Sequence, residues 1–233
     1  MTCNFHFPLT NILLVYALNG NNHMKAFFFL TGLLYASFCL AQKNYEFTDT
    51  RKKTESFKKM QQKDIRADLA SFTLAGIDES VGKADLKKVS FKNFGLDSMK
   101  FEGDNIKATV TLAPFDAAKH KLEYDEKYLI KIDRKTYYGG YGSLPTKYIS
   151  HVIVTVGNDT LSIPLAAYAD LYNLNLTYMD KGVQRTANAI YFSKDGHKLY
   201  FYLLCKDVTG SYEVTWIIQD KKYLRRVLDY GIL

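Results

Sequence analysis

The stretch AIYFSKDGHKLYFYLLCKDVTGSYEVTWIIQDKKYLRRVLDY, residues 189–230, decides the fold class. It holds four runs of apolar, β-branched and aromatic residues: Ala189–Phe192, Leu199–Cys205, Tyr212–Ile218 and Tyr223–Tyr230. Polar turns separate them at Lys194-Asp195-Gly196, Asp207-Val208-Thr209-Gly210 and Asp220-Lys221-Lys222. Strand-forming runs punctuated by turns every eight to twelve residues or so predict antiparallel strands in meander order. In the third run Glu213 and Thr215 alternate with Tyr212, Val214 and Trp216, which predicts one buried face and one wet face. Arg225 and Arg226, near Asp229, predict an exposed edge guarded by charge.

The same pattern extends upstream. Ser98–Glu102 and Ile106–Leu112 alternate across Gly103-Asp104-Asn105 and predict a β-hairpin, ended by Pro114. Tyr128–Asp133 is a further strand. Ile149–Val156 turns at Gly157-Asn158-Asp159 into Thr160–Ile163. Pro164, tolerated at a first helical position, opens a short helix near 164–172. Asn173–Asn188 is polar and reads as loop. The expected fold is mainly β: an antiparallel β-sandwich or a curled sheet with a C-terminal four-strand meander. Residues 71–233 read as a single β-rich domain, with a two-lobe split near 134–147 as the alternative.

The N-terminal part carries a different signal. Met24-Lys25 precedes an uncharged apolar run, Ala26–Leu40, and Cys39-Leu40-Ala41 places small residues three and one positions before Gln42. That is the order of a secretory signal peptide over 24–41. The apolar run falls short of the roughly 20 residues of a membrane-spanning helix. Residues 1–23 have no Lys or Arg before the apolar run Ile12–Leu18 and read as an over-extended start; a long signal with a polar beginning is the rival view. An uncleaved anchor is the alternative to cleavage. Phe38, where a lipid-accepting cysteine would follow Gly, Ala or Ser, argues against lipidation at Cys39.

Residues 42–70 read as a basic spacer, helical or flexible. Arg51, Lys52, Lys53, Lys58, Lys59, Lys63 and Arg66 crowd there. Phe57, Met60, Ile65 and Leu69 make a weak helical stripe. The bland expectation is a solvated face; the sharper one is contact of 51–66 with an anionic membrane or polymer. The chain has 31 Lys plus Arg against 24 Asp plus Glu, and residues 1–41 hold only Lys25 among them. This modest excess does not describe a nucleic-acid binder. After cleavage only Cys205 remains, so no internal disulfide is expected, and its apolar context predicts a buried thiol.

Chemistry is sparse. His120, His151 and His197 stand apart from one another and from any cysteine, so neither a metal nor a cofactor is expected. No Gly-x-Ser-x-Gly elbow places a serine, and no catalytic residue is assigned. The carboxylates Glu123, Asp125 and Glu126 are sequence neighbours rather than a pair across a cleft. The most distinctive segment is TYYGGYGSLP, residues 136–145. Tyrosine is a rigid amphipathic contact residue, and glycine lets a ligand approach the backbone. Tyr137, Tyr138 and Tyr141, flanked by Arg134 and Lys147, form the candidate ligand site; a turn with its tyrosines folded onto the sheet is the plain alternative. Tyr168, Tyr172 and Tyr178 form a second candidate. The expected function is an exported, non-enzymatic β-rich binding or structural module, periplasmic or secreted. Its partner would be a glycan, a peptide or an envelope protein. A secreted hydrolase and a membrane-anchored envelope accessory protein are the alternatives.

Overall fold

The computed structural model describes residues 46–50, 86–140, 142–206 and 210–230. The signal segment 24–41 and most of the spacer 42–70 lie outside them. The strands in chain order are β1 (Glu46–Thr50), β2 (Phe91–Phe94), β3 (Ser98–Gly103), β4 (Ile106–Pro114), β5 (Leu122–Asp125), β6 (Tyr128–Ile132) and β7 (Lys147–Val156). They continue with β8 (Asp159–Leu161), β9 (Tyr178–Asp180), β10 (Val183–Arg185), β11 (Ala189–Phe192), β12 (Lys198–Cys205), β13 (Tyr212–Gln219) and β14 (Lys222–Tyr230). Helix is limited, among the described residues, to single 3-10 turns at Ala117–Lys119 and Leu165–Ala167. The expected short helix after Pro164 is therefore one turn long.

Two five-stranded sheets carry the fold. One has the order β2-β3-β4-β7-β8, all antiparallel. The other has the order β1-β14-β13-β12-β11; its last four members are the expected antiparallel meander, and β1 joins β14 in parallel. Among the described strands neither sheet closes on itself. Tight turns set the registers. Asp104 and Asn105 both have positive φ (51° and 60°) between Gly103 and Ile106, the conformation a two-residue hairpin demands. Asp220 and Lys221 repeat it at 47° and 61°.

The sheets face each other across one core. From the first come Met99, Phe101, Ile106, Val110 and Ile149; from the second, Phe201, Leu203, Val214, Trp216 and Leu228. Phe101 meets Phe201 edge-on at 5.7 Å, and Phe201 meets Trp216 edge-on at 5.4 Å. Such aromatic contacts add about 1 kcal/mol each beyond the area they bury. The Trp216 indole N–H donates to the Ala167 carbonyl at 3.1 Å, which ties the 3-10 turn to the core.

Two readings of the C-terminal stretch need correction. Glu213 and Thr215 do not face water; they are 2% and 5% exposed, because the outer face of that sheet is covered as well. Glu213 accepts a hydrogen bond from the Tyr202 hydroxyl at 2.7 Å, which makes its burial tolerable. Nor is β14 an edge. It lies between β1 and β13, and both Arg225 and Arg226 are buried. Arg226 makes a two-pronged ion pair with Asp170, at 2.7 and 3.0 Å, and donates to the Ala167 carbonyl. A buried arginine persists because its fork geometry is matched by a carboxylate and a carbonyl.

Candidate functional site

The tyrosine-glycine segment is built inward rather than outward. Tyr138 lies along 170–172: its N–H donates to the Asp170 carbonyl, and its carbonyl accepts from the Tyr172 N–H, both at 2.9 Å. Its ring sits 5.8 Å from the Arg226 guanidinium carbon and 5.2 Å from the Tyr230 ring. The Tyr137 hydroxyl stands within reach of three carbonyls, Gly140 (2.5 Å), Ser143 (3.1 Å) and Leu129 (3.2 Å). Burial pushes its pKa up. Gly139 has φ +93°, and a Cβ there would lie 2.0 Å from the Tyr172 carbonyl oxygen, so only glycine fits. Tyr141 lies outside the described residues. Arg134 is exposed in the turn after β6, with φ +65°. Of the second trio, Tyr168 and Tyr172 are buried and only Tyr178 is exposed. Burial pushes Tyr172 up to about 12, and its ring packs edge-on against Tyr137 and Phe115.

Asn173, which carries no sequence signal of its own, knots this region together. Its side-chain oxygen accepts from the Thr146 N–H and hydroxyl and from the Lys147 N–H. Its amide nitrogen donates to the Gly139 carbonyl at 2.7 Å. Its own carbonyl accepts from the buried Cys205 thiol at 3.2 Å. An asparagine tolerates the left-handed φ of 52° found here.

Beside the knot lies a cleft of about 570 Å3. Phe94, Leu96, Leu112, Leu174 and Leu176 give it apolar walls; Lys147, Asn175, Thr177 and Gln184 give it polar ones. Among the described residues of the predicted site, Lys147 is the one that reaches it, ion-paired there with Asp97. The cleft is held from both sides. The Leu112 N–H donates to the Asp97 carbonyl and latches the β2–β3 turn to β4. Asn188, 1% exposed, donates to the carbonyls of Asn175 and Leu176 and accepts from the Leu204 N–H. Gln184 donates to the Thr177 hydroxyl at 3.0 Å.

The rim is apolar and exposed. Leu96, at the tip of the β2–β3 turn, is 94% exposed, and Met179 on β9 is 67% exposed. Met179 pairs across the hairpin with Gln184, and cross-strand partners share a face, so it stands on the side of the cleft. Tyr178 and Val183, also exposed, alternate with Met179 and Gln184 and stand on the other face of the hairpin. The segment 173–188, read from sequence as loop, holds this β9–β10 hairpin. Its only advance signal is the Lys181-Gly182 turn.

The histidines lie elsewhere. His120 Nδ1 meets Asp133 at 2.8 Å and stacks on Phe115. That hydrogen bond, helped by the Lys121 N–H, holds the Asp133 carboxyl below its usual range. His197 Nδ1 meets Asp220 at 3.0 Å across two hairpin turns; the Asp220 hydrogen bond and charge raise the imidazole pKa. Neither pair lines the cleft. Among the described residues no three His, Cys, Asp or Glu side chains converge to hold a metal ion. No family model, curated protein or solved structure matches the chain.

Proposed function

We propose that the protein is an exported, non-enzymatic β-rich binding module. Its partner is captured in the cleft between the β2–β3 turn and the β9–β10 hairpin. The supporting observation is the conjunction there of a concave space, exposed Leu96 and Met179, and the amide, hydroxyl and ammonium groups of Gln184, Thr177 and Lys147. Large apolar side chains left in water beside fixed polar groups are what a recognition surface needs. Export rests on the signal-peptide pattern of residues 24–41. A peptide segment with one apolar anchor fits this composition better than a bare sugar, because apolar groups dominate the rim.

The test is capture on peptide and glycan arrays by the wild-type protein and by Leu96→Glu and Met179→Glu. Both sites are exposed, so the fold should lose less than about 0.5 kcal/mol. Selective capture of peptides, cut at least about tenfold by either variant, is the expected result, since a desolvated apolar anchor carries about 1.4 kcal/mol or more. Capture that both variants leave unchanged would move the site away from the cleft. Turnover of an arrayed substrate would replace the binding module with a hydrolase.

A further inference from the structure

The outer face of the β1-β14-β13-β12-β11 sheet, turned away from β3, β4 and β7, is closed to water. Tyr191, Tyr200, Tyr202, Ile217 and Val227 form an apolar layer there, each 6% exposed or less. Among the described residues only Leu86, Ala187 and Leu224 pack onto it as partly buried neighbours. Glu213 and Asp229, opposite one another in register, put two buried carboxylates into the same layer beside one buried arginine, Arg225.

Topology says where the cover must come from. β1 ends at Thr50, paired with Asp229 at one edge of the sheet. At the opposite edge Lys88 pairs antiparallel with Tyr191 on β11. The Val89 N–H donates to the Ile190 carbonyl, and the Phe192 N–H to the Lys87 carbonyl, both at 2.8 Å. Since β1 is parallel to β14 and each later pairing is antiparallel, 87–89 runs in the same direction as β1. Two parallel strands of one sheet require a crossover that passes over a face. The inner face is filled by the opposing sheet, where Phe101 lies on Phe201. Only the outer face is left.

We infer that this outer face is a docking surface for residues 51–85 of the same chain and not for a foreign partner. Length agrees: five strand spacings span about 24 Å, which a helix of about 16 residues covers. Composition agrees as well. Phe57, Met60, Ile65 and Leu69 supply an apolar stripe for the tyrosine layer. At helical spacing Lys52, Lys59, Lys63 and Arg66 fall opposite the stripe, so the same docking displays them to solvent.

The experiment is photo-crosslinking in the full chain with p-benzoylphenylalanine placed at Tyr200 or, at the rim of the layer, at Leu204, which is 9% exposed. Mass spectrometry maps the adducts, and amide exchange of β12 and β13 checks that each variant is folded. The expected result is a monomeric adduct to a peptide within 51–85 as the dominant product. An adduct to a second copy, an adduct to residues 1–45, or no intrachain adduct from either position in folded protein would each overturn the inference.

Discussion

The two five-stranded sheets treat water differently. Along β4 and β7 burial alternates with the side chains, so one face packs on the core and the other is wet. Along β12 and β13 nearly every residue is buried, on both faces. Thr109 and Thr215 are the same residue at outward positions of central strands, yet Thr109 is half-buried and Thr215 is 5% exposed. A polar residue at alternate positions thus marks a face; it does not say whether that face meets solvent.

The largest expected effect follows from that pair. Thr215→Lys puts a charge where water is excluded and should cost about 4 kcal/mol or more, enough to unfold a marginal protein. Thr109→Lys should cost about 0.5 kcal/mol or less. Urea denaturation of both variants is the check, and equal costs would erase the difference between the sheets. Asp170→Ala comes next. It takes the carboxylate away from the Arg226 guanidinium, whose side chain is 2% exposed, and should destabilise by about 3 kcal/mol. The double variant Asp170→Leu, Arg226→Met should recover most of the loss, because a buried ion pair stabilises little over apolar groups of similar size.

Glycines sharpen the comparison within the C-terminal half. Gly139→Ala meets the Tyr172 backbone and a positive φ together and should cost about 2–3 kcal/mol. Gly196→Ala, with φ +76° but open space around it, should cost about 1 kcal/mol by the same denaturation. The smallest effect is at the exposed His197. Asp220 raises its pKa above 6.5 in the folded protein. Its contribution is therefore complete below that value and fades as pH rises through the raised pKa. NMR titration should show His197 above 6.5, returning toward it in Asp220→Asn.

Much of the fold was legible because these strands carry local signals. The four C-terminal runs and the hairpins around Asp104-Asn105 and Gly157 lie where apolar runs and turn residues put them. What escaped was decided at a distance. β2 is only FKNF, half-buried, and its pairing with β3 gives it strand identity. β5 contains Glu123 and Asp125, which in sequence are only neighbouring carboxylates; the pairing with Lys131 and Tyr128 makes a strand of them. Arg226 looked like an edge guard because Asp170, its partner, lies 56 positions away. Asn173 is illegible for the same reason: its side chain binds residues 26 to 34 positions off. The candidate site shared that fate, since Leu96, Lys147 and Gln184 come from three separate parts of the chain.

The parallel pairing of β1 with β14 also sets an order of events. Its partners are about 180 residues apart, among the most distant contacts the chain makes, and loops of that size close late in folding. In order of synthesis Glu46–Thr50 comes early, and its neighbour among the described strands, residues 225–229, comes last. Among the described strands the sheet is thus completed by the first and the last at once, so premature termination before β14 would leave β13 with an open edge and β1 with no strand of this sheet to join, the kind of surface on which unfinished chains aggregate.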